Sequence, residues 1–191
     1  MLVLLAGVTG AGKNTIQREL IKRNENIVAI PSYTTREPRP GDVPGETYNF
    51  VTKEEFERMI KDGELYEYNI YNENYYGTSK KILNDKIREG KTIVKDIDVN
   101  GVENLVKLLK NDVKVVTIFL KVPREILINR LKNRIDKPSD ETINARISRL
   151  EYEESKIGEY DYMIKNNSLE KTVQVIEQII KSEYDIRDVE F

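Results

Sequence analysis

Short runs of apolar, mostly β-branched residues alternate along the chain with longer segments in which apolar residues recur every three or four positions. The short runs predict strands at residues 2–6, 27–31, 92–97, 114–120 and 162–165. The longer segments predict helices at residues 13–23, 79–89, 99–110, 124–134, 141–156 and 169–182. Because single strands that alternate with helices build a parallel sheet covered by helices, the sequence predicts an α/β fold.

The alternation of strand and helix patterns is interrupted between residues 32 and 78. Residues 36–45 contain three of the six prolines of the chain, which excludes a central strand or helix there. A short helix is predicted at residues 53–61, and a tyrosine-rich extended run follows at 64–76. A structureless loop of this length is uncommon in a compact domain. We therefore predict a small lobe inserted into the sheet domain.

A second break, at residues 134–141, separates two basic helices and is typical of a mobile lid. Together, the two breaks predict a single domain over residues 1–191 that consists of three parts. The predicted parts are a core of residues 1–31 and 79–191, the lobe at about 32–78, and the lid at about 124–156.

Composition excludes several classes of site. The 31 Lys and Arg against 33 Asp and Glu give a net charge of −2, which does not indicate a nucleic-acid or membrane surface. The chain has no Cys and no His, so thiol, imidazole and zinc chemistry are excluded, and oxygen-ligated Mg²⁺ is the plausible metal. The first apolar run is too short to span a membrane and no targeting segment is evident. We expect a cytoplasmic protein, either a monomer or a small homo-oligomer.

A glycine-rich loop follows the first predicted strand and leads into the first predicted helix. Residues 7–15 read GVTGAGKNT, which matches the strand–GxxxxGK–helix pattern of a P-loop. Backbone N–H groups of such a loop converge on phosphate oxygens, and the lysine reaches the outer phosphates. The alternative is a tight connection with incidental glycines. The residues predicted to bind phosphate are Gly7, Val8, Thr9, Gly10, Ala11, Gly12, Lys13, Asn14 and Thr15.

Asn14 stands where a P-loop normally has the Ser or Thr that contributes a hydroxyl to Mg²⁺. Three interpretations stay open. The ion is held by waters, phosphates and an acidic residue; the Asn14 side-chain oxygen replaces the hydroxyl; or the dependence on Mg²⁺ is weak. Asn14 and Asp98 are the predicted metal-site residues, with water between them and the ion as one possibility.

Two arginines lie three residues apart in the proline-rich loop. Arg36 and Arg39 suit a dianionic phosphate, because each guanidinium can donate two hydrogen bonds. Tyr48 and the run at residues 75–78 supply hydroxyl donors without adding charge. The alternative for both arginines is a solvated surface position.

Two aspartates end the predicted strand at residues 92–97. Asp96 and Asp98 would place a carboxylate beside the P-loop. There it would hold the water shell of Mg²⁺ or contact the molecule that accepts a phosphate group. Asp98 is the stronger candidate. The alternative is a helix N-cap. Lys95, just before them, either faces outward at a sheet edge or pairs with Asp96, and the sequence does not decide between the two.

Five motifs in this order and spacing resemble guanylate kinase. They are the P-loop, SYTTREPRPG at 32–41, GETYNFV at 45–51, YYGTS at 75–79 and DIDVNG at 96–101. The resemblance covers nearly the whole chain, through YDYMIKNN at 160–167. It implies a P-loop kinase fold in which the lobe binds one nucleotide and the P-loop binds ATP. Lys95 departs from the aliphatic residue expected there in that family.

The resemblance also implies roles for the acceptor residues. Four side chains look like the clamp on the phosphate of GMP: Arg36, Arg39, Tyr48 and Tyr76. Three look like the readers of guanine, Ser32, Glu67 and Thr78, and Asp98 belongs to the same acceptor site. Guanine presents N1–H and N2–H₂ donors beside an O6 acceptor, so a carboxylate and hydroxyls are complementary to it. Adenine presents the opposite pattern and would leave a buried carboxylate without a donor.

For the lid, the resemblance implies basic residues that close over the ATP phosphates. These are Arg130, Arg134, Arg146 and Arg149, with Arg134 and Arg146 the candidates for contact with the transition state. The alternative is pairing with the neighbouring glutamates at residues 151, 153 and 154. Asn166 and Asn167 are expected to contact adenine or to cap the last helix, and Asn167 is the one assigned to ATP.

The implied reaction is ATP-dependent phosphorylation of GMP, and of dGMP, by direct in-line transfer with Mg²⁺. Phosphoryl transfer requires that the two nucleotides are positioned and that the charge of their phosphates is compensated. It does not require His or Cys, so their absence is compatible with this reaction. The predicted catalytic residues are Lys13, Arg36, Arg134 and Arg146. Two alternatives stay open: a catalytically weak interaction module of the same family, and a related kinase that acts on another nucleotide or on a sugar phosphate.

Overall fold

The computed structural model describes residues 1–8, 10–133 and 139–185, apart from the side chains of residues 142 and 146. The strands are β1 Leu2–Ala6, β2 Ile27–Val28, β3 Ser32–Thr34, β4 Tyr48–Phe50, β5 Leu65–Tyr71, β6 Asn74–Ser79, β7 Thr92–Asp96, β8 Val115–Lys121 and β9 Tyr162–Lys165. The helices are α1 Lys13–Arg23, α2 Lys53–Lys61, α3 Lys80–Arg88, α4 Val99–Leu109, α5 Arg124–Lys132, α6 Asp140–Ser148, α7 Leu150–Ser155 and α8 Leu169–Asp185.

Within the described ranges, five strands form a parallel sheet in the order β2-β7-β1-β8-β9. Strand β1 lies at its centre and all of its side chains are buried. They alternate between two apolar layers: Val3 and Leu5 pack towards α1, α5 and α8, whereas Leu2 and Leu4 pack towards α3 and α4. The predicted parallel sheet flanked by helices is therefore confirmed, and β1 leads its glycine loop to the carboxyl edge of the sheet.

A second sheet of four described strands, in the order β4-β3-β6-β5, is built from residues 32–79. Helix α2 covers it through Phe56 and Met59, which pack on Leu65. This helix begins with a capping box, since Thr52 accepts a hydrogen bond from the Glu55 amide while the Glu55 side chain accepts one from the Thr52 amide. The small sheet carries the tyrosine-rich run at one end of the large sheet.

Most predicted elements are present with ends shifted by up to three residues, and two differ more. The strand predicted over 27–31 keeps only Ile27 and Val28, as the edge strand β2. The single helix predicted over 141–156 is wrong: α6 and α7 are separate helices. The break is one residue long, at Arg149, whose backbone angles stay helical (φ −78°, ψ −15°).

No helix among the described residues is both long and apolar enough to cross a membrane.

Candidate functional site

A cleft of about 750 Å³ opens between the P-loop edge of the large sheet and the small sheet. Its walls bring together residues that are far apart in the sequence, as expected at the carboxyl edge of a parallel sheet. The predicted site residues that line the cleft are Gly7, Gly10, Gly12, Lys13, Asn14, Thr15, Ser32, Arg36, Arg39, Tyr48, Glu67, Tyr76, Asp98, Arg130 and Arg149. Three others, Val8, Ala11 and Thr78, are buried behind its walls.

Predicted residues also lie outside the described part of the chain. Thr9 and Arg134 fall there entirely, and for Arg146 only the backbone, within α6, is described. The role of these three residues stays a prediction.

The P-loop has the backbone of an anion site. Gly7 and Gly12 have φ values of 133° and 95°, which favour glycine. A Cβ on Gly7 would lie 2.5 Å from the Leu120 carbonyl oxygen, so no side chain fits. Among the described residues, no side chain caps the first turn of α1 and no acidic residue lies in it. The first amides of α1 are therefore available to phosphate oxygens.

Lys13 folds back over its own loop. Its Nζ donates to the Gly7 carbonyl at 2.5 Å and to the Val8 carbonyl at 3.5 Å. These carbonyls hold the ammonium group beside the loop, from which it can reach a bound phosphate.

A buried asparagine fixes the back of the P-loop. Asn166, 3% exposed, donates to the Ala11 carbonyl at 2.6 Å and accepts from the Thr172 hydroxyl at 2.9 Å. Arg130 donates to the carbonyls of Ala11 and Asn166 at 3.4 and 3.1 Å. Asn167, the residue assigned to ATP from the sequence, is exposed and is not part of the cleft wall, whereas Asn166 is. The structure thus places the neighbouring residue at the site.

On the opposite wall, Arg36 is held in a fixed orientation. It is 8% exposed, and its guanidinium lies 5.0 Å from the centre of the Tyr48 ring and 5.6 Å from that of Phe50. It donates to the Asp42 carboxylate at 2.9 Å and to the Glu37 carbonyl at 2.7 Å. A solvated surface position is therefore wrong for Arg36.

Asp42 links the two arginines of the clamp. The oxygen that accepts from Arg36 also accepts from the Arg39 amide, at 2.7 Å. Burial raises the pKa of the Tyr48 phenol far above its ordinary value. Tyr48 is therefore a neutral hydroxyl donor beside the Arg36 guanidinium.

The residues predicted to read guanine are arranged around Glu67. The Thr78 hydroxyl, fully buried, donates to Glu67 Oε1. Thr78 consequently orients the carboxylate from behind, whereas Glu67 and Ser32 line the cleft. Burial raises the pKa of Glu67, while the charge of Lys95 and the hydrogen bond from Thr78 oppose that rise.

Lys95 is buried inside the large sheet. It is 1% exposed and lies in β7, between β2 and β1, so an outward position at a sheet edge is wrong. Its Nζ donates to the Ser32 hydroxyl oxygen at 2.7 Å. Burial lowers the pKa of Lys95, and the negative charges of Glu67, Asp96 and Asp98 oppose this.

Asp98 caps helix α4 as well as lining the cleft. The strand ends at Asp96, and Asp98 Oδ1 accepts from the amides of Asn100 and Gly101 at 2.8 and 2.9 Å. Its Oδ2 accepts from the Asn69 side chain at 2.8 Å. The N-cap alternative is therefore correct, and the carboxylate is already a partner of three donors.

The lid contributes a further carboxylate. Glu153 in α7 lines the cleft and is 8% exposed, and its Oε2 has no hydrogen-bond partner within the described part of the chain. Burial raises its pKa, while Lys13 and Arg149 oppose that rise. Mg²⁺ prefers oxygen ligands and commonly combines one or two carboxylates with substrate phosphates and water. Asn14, Asp96 and Glu153 each bring a side-chain oxygen to the same cleft. No cluster of three or more Asp or Glu that could hold a metal ion occurs among the described residues, so phosphate oxygens and water would have to complete the coordination of such an ion.

Several cleft residues were not found from the sequence. Asn69 and Tyr71 follow Glu67 at spacings of two along β5, and Arg18 follows Asn14 by one helical turn of α1. Both spacings put side chains on one face of their element and would have identified these residues. Arg149 lies over the Tyr71 ring at 4.8 Å, so the lid touches the small sheet.

Comparison with known proteins agrees with this geometry. The guanylate kinase family model matches residues 1–183. The guanylate kinase of Wolbachia sp. subsp. Brugia malayi (strain TRS) is 36% identical over 185 residues, 96% of this chain and 93% of that protein. The guanylate kinase of Clostridioides difficile (strain 630) is 38% identical over 187 residues, 96% of this chain and 88% of that one.

Solved structures give the same relationship. The crystal structure of guanylate kinase from Anaplasma phagocytophilum has a TM-score of 0.76 at 30% identity, covering 96% of this chain and 85% of that chain. Shikimate kinase from Bacteroides thetaiotaomicron has a TM-score of 0.50 at 14% identity, covering 95% and 98%, which shows a shared fold alone. Since the family match spans nearly the whole chain, this protein belongs to the guanylate kinase family.

Proposed function

We propose that this protein transfers the γ-phosphoryl group of ATP to the phosphate of GMP, giving ADP and GDP, and that it also accepts dGMP. One observation carries the proposal: the P-loop and the Arg36–Arg39 clamp face each other across a single cleft. Two anion sites on opposite walls suit a donor triphosphate and an acceptor monophosphate whose reacting atoms meet between them. The family relationship supports this choice of nucleotides.

On the donor side, the amides of the P-loop and the first turn of α1 bind the β- and γ-phosphates. Lys13 exchanges the Gly7 carbonyl for phosphate oxygens and offsets their charge. Asn14 and Glu153 would hold Mg²⁺, with Asp96 or Asp98 acting through water; this ion, when bound, offsets charge on the β- and γ-oxygens. Arg130 would contact ATP from the lid side of the loop.

On the acceptor side, Arg36, Arg39, Tyr48 and Tyr76 would hold the GMP phosphate so that one of its oxygens attacks the γ-phosphorus in line. The bond from that phosphorus to the β-bridging oxygen breaks as the new one forms, and no phosphoenzyme is needed. Because the Arg36 guanidinium is oriented before GMP binds, little side-chain freedom is lost on binding.

At the base, Glu67 would accept hydrogen bonds from N1–H and N2–H₂ of guanine, and the Ser32 hydroxyl would donate to O6. The Thr78 hydrogen bond keeps the Glu67 carboxylate in one orientation. Arg134 and Arg146 are proposed to approach the transferred phosphoryl group when the lid closes, with closure excluding water from the reaction. The lid already touches the acceptor lobe through Arg149 and Tyr71.

An acceptor panel tests the proposed function. ADP production from ATP is measured with GMP, dGMP, AMP, UMP and ribose bisphosphate, each with and without Mg²⁺. Rapid turnover is expected with GMP and dGMP, and almost none with AMP, because adenine N1 carries no proton and would bring a lone pair against the buried carboxylate of Glu67. A sugar phosphate as the best acceptor, or no turnover with any acceptor, would contradict the proposal.

Replacing Asn14 tests the metal assignment. Asn14→Ala is expected to raise the Mg²⁺ concentration for half-maximal rate by about 10-fold, since one ligand of the ion is lost. Asn14→Thr supplies a hydroxyl instead and serves as the matched control, with near-normal Mg²⁺ dependence expected. KM for GMP should stay unchanged in both variants. An unaltered Mg²⁺ titration in Asn14→Ala would show that Asn14 is not a ligand.

A further inference from the structure

The mechanism above gives no role to the ammonium group of Lys95, which is 1% exposed. It sits in the interior strand β7, where its three neighbours Thr92, Ile93 and Val94 are also buried. An ammonium ion out of water is strongly unfavourable unless hydrogen bonds and opposite charges compensate it. Lys95 therefore has to be explained by what surrounds it.

Its surroundings belong to the base end of the acceptor site. Lys95 Nζ is 2.7 Å from the Ser32 hydroxyl oxygen. The carboxylates whose charges act on it are Glu67 on β5, Asp96 at the end of β7 and Asp98 at the start of α4. Ser32, Glu67, Asp96 and Asp98 all line the cleft, whereas Lys95 lies behind the wall. The ammonium group is thus close to Ser32 and Glu67, the residues proposed to bind guanine, but Lys95 does not itself line the cleft.

The hydrogen bond to Ser32 has a definite direction. An ammonium group has only donors, so the Ser32 oxygen must accept from it. With that lone pair occupied, the single proton of the hydroxyl is left to point elsewhere, and the cleft is where Ser32 is open. A hydroxyl that accepts a charge-assisted hydrogen bond is also a stronger donor. A free hydroxyl can either donate or accept, and Lys95 therefore fixes the Ser32 hydroxyl as a donor towards the cleft.

The charge of Lys95 acts on Glu67 in a complementary way. Glu67 is 9% exposed, and the Thr78 hydroxyl already donates to one of its oxygens. A nearby positive charge favours the ionised carboxylate, which accepts hydrogen bonds but donates none. Helix α4 passes close to this carboxylate, since a Cβ on Gly101 would lie 3.2 Å from Glu67 Oε2 and 2.6 Å from the Ile97 side chain. The base pocket thus has one fixed donor beside one fixed acceptor.

We propose that Lys95 is a positioning residue that sets base specificity through Ser32 and Glu67, favouring a 6-oxo-2-aminopurine over a 6-aminopurine. The inference rests on the proposed function, because guanine is the base that carries a 6-oxo acceptor beside N1–H and 2-amino donors. With Lys95 in place, an adenine amino group meets a donor at Ser32 and its unprotonated N1 meets an acceptor at Glu67. Both mismatches weaken when the ammonium is removed.

The test compares Lys95→Met with the unchanged protein, using GMP, IMP and AMP as acceptors. Methionine keeps the length of the side chain and removes its charge. KM for GMP is expected to rise about 10- to 100-fold, with a smaller change in kcat and none in KM for ATP. The ratio of kcat/KM for GMP over AMP should fall by about the same factor. Combining Lys95→Met with Ser32→Ala should cost less than the sum of the two changes.

A pH profile distinguishes positioning from simple packing. Without the Lys95 charge, the pKa of Glu67 moves further upward, since burial and the charge of Asp98 both raise it and only the Thr78 hydrogen bond still opposes them. The protonated form of Glu67 does not accept from N1–H. The acid limb of kcat/KM for GMP is therefore expected at higher pH in Lys95→Met. The phosphate of GMP titrates identically with both proteins, so it does not contribute to the difference.

Lys114→Met is the matched control. Lys114 is ion-paired to Glu183 at 2.5 Å and does not line the cleft. The Lys114→Met protein should be less stable than the unchanged protein but should keep the same ratio of kcat/KM for GMP over AMP. If Lys95→Met does not fold, Lys95→Gln, which keeps a shorter uncharged donor, carries the same expectations. A folded Lys95 variant with an unaltered GMP-to-AMP ratio and pH profile would overturn the inference. Absence of GMP phosphorylation in the unchanged protein would instead contradict the proposed function.

Discussion

Replacing Arg36 by Met is expected to lower kcat/KM for GMP by about 10³-fold while KM for ATP changes little. The guanidinium is buried between two aromatic rings and is fixed by Asp42 and the Glu37 carbonyl. Removing it takes away the oriented phosphate donors and leaves the Asp42 carboxylate facing the incoming dianion. Steady-state kinetics with GMP varied at saturating ATP measures the effect.

Two controls accompany the Arg36 variant. Arg23→Met removes an arginine that is ion-paired to Glu170 and does not line the cleft, so its kinetics should be normal. Arg36→Met with Asp42→Asn removes the carboxylate that the single change leaves unpaired, and part of the activity should return. A folded Arg36→Met protein that keeps near-normal kcat/KM for GMP would disprove the clamp assignment.

Lys13→Met is expected to reduce kcat by about 10³-fold, with KM for GMP almost unchanged. The reason is that the ammonium offsets charge on the transferred group, whereas the acceptor lies on the opposite wall of the cleft. The Gly7 and Val8 carbonyls lose their donor, but their backbone conformation is fixed by the loop itself. Single-turnover measurements with bound ATP separate this chemical step from nucleotide release.

Lys22→Met, at the exposed end of the same helix, is the control for Lys13. It removes the same charge from α1 and should leave both kcat and KM at their normal values. If Lys13→Met lowered only the affinity for ATP and left kcat intact, Lys13 would be a binding residue and its catalytic assignment would be wrong.

Local sequence signals were sufficient for much of the fold. The bounds of β1 and α1 match their predictions because an apolar run, a glycine loop and a helical pattern meet within a few residues. The break between α6 and α7 was missed because it is one residue long, at Arg149, where the backbone angles stay helical (φ −78°, ψ −15°). A break that short does not interrupt the helical period of the sequence.

The site shows a similar limit. Arg36 was identified from the proline-rich motif at 32–41 and Glu67 only from the resemblance to guanylate kinase, whereas the surroundings of Lys95 were not predicted. A lysine in an apolar strand suggests an edge. Two of its compensating partners, Ser32 in β3 and Glu67 in β5, lie more than twenty residues earlier in the chain. Asn166 and Asn167 are adjacent and chemically identical, so only the path of the chain after β9 decides which one lies against the P-loop.

The contact of Asp42 with Arg36 has a consequence for how quickly an acceptor is captured. Because folding has already selected one rotamer of this arginine, the conformational search is finished before any substrate arrives. A guanidinium has five N–H groups. Those of Arg36 that donate to Asp42 and Glu37 can keep these partners while the others donate to the acceptor phosphate. In the proposed clamp, the Arg36 guanidinium would therefore bind the acceptor phosphate without first having to rearrange.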